Sequence, residues 1–156
     1  MVPAMNVLHQ PRITERIKVR KYRLCKHADY QRAYKATRKQ FSASMTWFLA
    51  PRPIPTNPTQ PTGPRVGLTV GKVLGKAHER NRIKRRMREV VRQQLHELPD
   101  CIDLILHPRR SVMTMDFAKL QGEVLRIFRQ VAAQTRLQAM QTIASSTVSP
   151  QPPSAS

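Results

Sequence analysis

Residues 65–92 read RVGLTVGKVLGKAHERNRIKRRMREVVR, and their apolar period changes midway. Arg65 to Val70 alternates and is β-branched, which predicts a strand. Gly71, Lys72 and Gly75 mark a turn region. Beyond it Ile83, Met87, Val90, Val91, Leu95 and Leu98 recur at three- and four-residue spacing, one face of a helix running to about Leu98. About twenty residues of helix span roughly 30 Å. Asn81, Arg82, Arg85, Arg88 and Arg92 gather opposite the apolar face. Eight of the eighteen residues from Gly75 to Arg92 are Lys or Arg, against two acids, Glu79 and Glu89. Cations packed this densely repel one another, and a polyanion relieves the repulsion. Nucleic acid is the simplest such partner.

Working outward, Ser44 to Ala50 (SMTWFLA) is short and rich in strand formers. Pro51 to Pro64 holds six prolines in fourteen residues. Proline lacks the amide donor, so this stretch is neither helix interior nor sheet. It reads as a long hairpin connection that sets strand 65–70 antiparallel to strand 44–50. Asp29 is a candidate N-cap for a short helix carrying Tyr30 and Tyr34 on one face. With Arg32, Lys35, Arg38 and Lys39 nearby, those tyrosines either stack unpaired bases or anchor the helix on the core. Pro99-Asp100 stops the basic helix, and Asp103 to Leu106 is a short buried strand. Thr114 or Asp116 caps a last helix with Phe117, Leu120, Val124, Ile127, Phe128 and Val131 as its core stripe. The expected order is α-β-β-α-β-α, an α+β fold with helices packed on a small sheet.

Three regions follow. Residues 1–21 are a flexible basic arm, which either touches nucleic acid or is a solvated tail. Residues 22–134 form the domain. Residues 135–156 are Gln/Ser/Thr/Pro-rich and are expected to be disordered.

The formal charge is +19 and the pI about 11.5, which points to nucleic acid or another anionic surface. The charge is uneven: residues 1–92 carry 22 Lys/Arg against four acids, and residues 93–156 carry six against five. A binding face explains that asymmetry better than general solubility does. Cys25 and Cys101 form no CxxC pattern and nothing near Cys25 and His27 completes a set of four ligands, so no metal site of the protein's own is expected. The plain reading is a reduced, cytoplasmic chain without a membrane span or secretory signal.

The motif through Arg65, Val66, Gly67, Leu68, Thr69, Val70, Lys72, Gly75, Ala77, Arg80, Asn81, Arg82, Lys84, Arg85 and Arg88 resembles the protein subunit of bacterial ribonuclease P. The similarity extends over roughly residues 22–132. It implies a fold like the second domain of ribosomal protein S5, with a left-handed crossover through the basic helix. It implies that Arg80, Asn81, Arg82, Lys84, Arg85 and Arg88, extended by Lys72, Lys76 and Arg92, meet the catalytic RNA. It also implies that Tyr30, Tyr34 and Phe48 line a cleft for the 5′ leader of precursor tRNA. Two features depart from the family: Gly71-Lys72-Val73 replaces Ser-Lys-Lys, removing one cation, and the Pro-rich connection is longer than usual.

No catalytic apparatus is evident. Five histidines (His9, His27, His78, His96, His107) are scattered, and the nine acids form no cluster fit to hold two metal ions. Phosphodiester cleavage would therefore borrow its metal ligands, and the resemblance implies that the RNA subunit supplies them with Mg²⁺. No obligatory protein partner is expected. The alternatives are a ribosomal or assembly-type RNA-binding protein and a DNA-binding regulator. Against the latter, no leucine heptads follow the basic segment and no helix precedes it at helix-turn-helix spacing.

Overall fold

The computed structural model describes residues 22–146. The expected basic arm, residues 1–21, lies outside them. In chain order the elements are α1 (His27–Ala36), β1 (Gln40–Phe41), β2 (Met45–Pro51), β3 (Arg65–Leu68), α2 (Ala77–Gln94), β4 (Ile102–Pro108) and α3 (Phe117–Ser146). Short 3₁₀ turns at Lys72–Leu74, Leu95–Glu97 and Arg110–Met113 connect them.

The strands form one sheet in the order β1-β2-β4-β3. This corrects the expected hairpin. β2 and β3 are not neighbours; β4 lies between them, antiparallel to β2 and parallel to β3. The start of β4 is tied to both ends of the Pro-rich loop, which explains the insertion. The Arg52 amide donates to the Cys101 carbonyl, and the Cys101 amide donates to the Thr62 carbonyl, each at 2.7 Å. β3 and β4 are thus adjacent, parallel and joined through α2, the crossover helix of the implied fold.

Both faces of the sheet are covered, in different measure. Met45, Trp47 and Leu49 of β2 and Ile102, Leu104 and Leu106 of β4 point to one face. Ile83, Met87 and Val90 of α2 pack there, with Leu120, Val124, Ile127, Phe128 and Val131 of α3. Alternation sends Phe48, Ala50, Asp103, Ile105 and His107 to the other face. There Leu24, Ala33 of α1, Ala50 and Ile105 make a smaller cluster, with Tyr30, Tyr34 and Phe48 half-buried against it.

Two further expectations change. Asp29 is not the cap of α1, which begins at His27; it is the third residue of the helix, and its carboxylate pairs with Arg65 at 3.1 Å and Arg32 at 3.5 Å. α3 continues to Ser146, past Thr135 where order was expected to end. Residues 136–146 are all exposed, so that extension contributes no core.

Candidate nucleic-acid interface

Two surfaces meet on this domain, a cationic ridge and an aromatic cleft. The ridge is α2. Gly75 stands just ahead of it at φ +126, a backbone state that side-chain-bearing residues rarely adopt. Just ahead of the helix, the Lys76 amide donates to Glu79 Oε2 at 2.7 Å. That hydrogen bond, helped by Arg110, holds the Glu79 carboxyl below its ordinary range.

With Ile83, Met87 and Val90 fully buried, Asn81, Arg82, Arg85 and Arg88 must face solvent, and they do. Among the described residues no carboxylate pairs with Arg82, Lys84, Arg85 or Arg88. Lys72 and Lys76 are exposed at the helix start. Three of the expected RNA-facing residues sit differently. Arg80 is half-buried on the flank, with its Nε enclosed and unbonded. Lys84, one turn further on, is half-buried on the same flank. Arg92 is exposed but pairs with Glu89 at 2.7 Å, which also lowers the Glu89 pKa. Val73, where the resemblance implies a lysine, is 97% exposed, so nothing in the core requires the valine.

The cleft lies between α1 and the sheet. Tyr34 packs edge-on against Phe48, with ring centroids 4.9 Å apart, and Tyr30 lies 6.4 Å from Tyr34. The three residues expected to line a cleft are therefore brought together. Gly67 makes room for Tyr30: a Cβ there would stand 2.6 Å from the tyrosine oxygen. Tyr30 donates to the Leu24 carbonyl at 3.2 Å, and burial pushes its hydroxyl above the ordinary pKa.

His107 was not singled out from the sequence, yet it completes the cluster. Its ring centroid is 5.7 Å from Tyr34 and 5.6 Å from Phe48, and its Nε2 is 3.0 Å from the Tyr34 oxygen. Burial, then the charge of Lys39, lowers its pKa. Period-two alternation through β4 could have placed it on this face, had the partner strands been known.

A hollow of about 460 Å³ joins the two surfaces, with Tyr22 and Tyr30 among its lining residues on one side and Lys84 and Arg88 of α2 on the other. Aromatic rings and cations thus share one groove.

α1 is fixed over the sheet by a charge cluster that sequence reading also missed. Asp103 is fully buried. It accepts from Arg65 Nε at 2.7 Å and Nη2 at 2.8 Å, and from Arg32 of α1. Arg52 lies 3.4 Å away and donates to the Gly63 carbonyl of the Pro-rich loop. The signal available was one carboxylate in an apolar strand.

Among the described residues no three His, Cys, Asp or Glu side chains gather to hold a metal ion. No described helix is long and apolar enough to cross a membrane.

The fold and surfaces define a small α+β protein with an exposed row of cations beside an aromatic cleft. A family model for ribonuclease P matches residues 19–132. The ribonuclease P protein component of Finegoldia magna is 34% identical over 70 residues, 45% of this chain and 62% of that protein. The chain thus spans under two thirds of that relative. The ribonuclease P protein component of Chloroflexus aggregans is 35% identical over 114 residues, 72% of this chain and 79% of that protein. A Staphylococcus aureus RNase P protein mutant with defective mRNA degradation activity shares the fold, with a TM-score of 0.61 at 24% identity over 77% of this chain and 96% of that one. The chain belongs to the ribonuclease P protein family, whose members are protein components of a ribonucleoprotein endoribonuclease.

Proposed function

We propose that this protein binds the catalytic RNA of ribonuclease P through α2 and grips the 5′ leader of precursor tRNA in the aromatic cleft, assisting removal of the leader in the cytoplasm. The observation that carries the reading is the row Arg82, Arg85 and Arg88, exposed and without carboxylate partners among the described residues, beside the Tyr30–Tyr34–Phe48 cleft. An unneutralised row at helical spacing matches a polyphosphate, and each contact releases a counterion. Lys72, Lys76 and Asn81 extend the row, with Arg80, Lys84 and Arg92 at its margins. The cleft supplies half-buried rings on which unpaired leader bases stack. Cleavage chemistry resides in the RNA, which holds the Mg²⁺; the protein neutralises phosphate and positions the leader.

The test is reconstitution. Purified protein and a bacterial ribonuclease P RNA, mixed with precursor tRNA at low magnesium, should release the leader when neither component does so alone. Equal cleavage with and without protein across a magnesium titration would contradict the reading.

A further inference from the structure

The face that carries the cleft does not end at Phe48. Ladder register sets Phe41 of β1 opposite Thr46 of β2, and Thr46 opposite His107 of β4. Residues directly opposed in a ladder project to the same face. Phe41, Thr46 and His107 therefore form a row across the sheet on the side of Phe48 and Tyr34. From β4 to β1 is two strand spacings, about 10 Å of added surface.

Lys39 ties the row together. Its ammonium stands 5.5 Å from the Phe41 ring centroid, and its charge reaches His107. Phe41 is 66% exposed, unusual for so large an apolar ring on an edge strand. Lys39 is exposed beside it, Lys35 and Arg38 are exposed at the end of α1 and in the turn before β1, and among the described residues none of the three pairs with a carboxylate. His107 spends Nε2 on Tyr34, while its Nδ1 has no protein partner among the described residues and is not enclosed. The sheet edge thus offers an open ring, an imidazole edge and the Lys39 cation in continuity with the cleft.

We propose that Lys39, Phe41 and His107 form a second stacking station for single-stranded RNA, taking the leader nucleotides beyond those held at Tyr30, Tyr34 and Phe48. The occupant is RNA because the patch pairs an aromatic face with unneutralised positive charge, where an apolar protein partner would leave those cations stranded. The direction follows from α2. The ridge adjoins the cleft at Tyr30, so the catalytic RNA and the tRNA body lie at that end and the distal leader runs toward Phe41. This proposal rests on the reading that the cleft holds the leader.

The experiment measures affinity of the assembled RNA–protein complex for precursor tRNAs whose leaders lengthen one nucleotide at a time. Wild-type protein should gain affinity over the nucleotides that reach the cleft and again over those that reach Phe41. Phe41→Ala should lose only the second gain, about fivefold or more for one stacked base, with an unchanged melting temperature because the ring is exposed. Lys39→Ala should lose part of the same gain and flatten its salt dependence. Tyr34→Ala should lose the first gain. If Phe41→Ala keeps the full length dependence while Tyr34→Ala does not, the extension is wrong and the cleft stands. If Tyr34→Ala has no effect, both fail. A dimer that Phe41→Ala disrupts, with length dependence intact, would also overturn the proposal by assigning the ring to a contact between copies.

Discussion

Tyr34 makes three separate contacts, with Phe48 at its ring edge, His107 at its hydroxyl and Thr69 at 3.4 Å beyond. Half-buried rings with their polar tips engaged hold still, and a stacking surface needs that. Tyr30 and Tyr34 at four-residue spacing were visible in the sequence, and the resemblance named Phe48. Residues alone left the tyrosines' role open, because helical spacing shows that two rings share a face and says nothing of what the face meets. His107 was hidden for a related reason, since its neighbours lie on other strands. It yields a pH prediction. Burial and Lys39 lower its folded pKa below the roughly 6.5 of an unfolded histidine. Below that pH the unfolded chain binds the proton more readily, so stability is lost as pH falls from about 7 toward the folded value. Melting temperature against pH should therefore fall more steeply for wild type than for His107→Phe. Parallel curves would show that His107 is not strained by protonation.

At the scale of elements, α2 does two things with adjacent arginines. Arg85 faces solvent, whereas Arg86 turns to the loop before α3 and donates to the carbonyls of Met113, at 2.8 Å, and Met115. Arg86→Ala should cost about 1.5–3 kcal/mol in urea unfolding, the range for hydrogen bonds to charged groups. Arg85→Ala should stay within about 0.5 kcal/mol of wild type while weakening RNA binding. Equal stability of the two variants would mean that Arg86 is not the brace it looks to be. Helix periodicity put Arg85 opposite the apolar stripe and gave Arg86 no role, because Arg86's acceptors lie 27 and 29 residues on. Three of the four strands were likewise legible from alternation and composition, whereas the two-residue β1 and the strand adjacency were not. The Pro-rich stretch reads as a hairpin until the Cys101 hydrogen bonds show β4 drawn between its ends.

Across the whole molecule, Asp103 joins α1 through Arg32, β3 through Arg65 and the Pro-rich loop through Arg52. It sets where α1 sits, and hence how wide the cleft stands. Burial counts against the charge on Arg65, and the hydrogen bonds it donates to Asp103 outweigh that, leaving the guanidinium pKa raised. Removing one partner of a buried ion cluster leaves the others uncompensated, so Asp103→Ala should destabilise by about 3–5 kcal/mol, read as a lower urea midpoint. A midpoint within error of wild type would assign the anchoring of α1 to Ala33 and Leu24 alone.

The positive field itself was legible from composition, and the helix wheel showed which cations could share a face. What needed coordinates was which of them remain unneutralised: Arg82, Arg85 and Arg88 do among the described residues, and Arg92 is paired. That difference is open to direct measurement, as the salt dependence of binding to ribonuclease P RNA for wild type and for Arg82→Ala/Arg85→Ala/Arg88→Ala. If the three arginines each hold a phosphate, the slope of log affinity against log salt should shrink by about 2 to 3 while the melting temperature holds. An unchanged slope would mean that α2 does not carry the RNA.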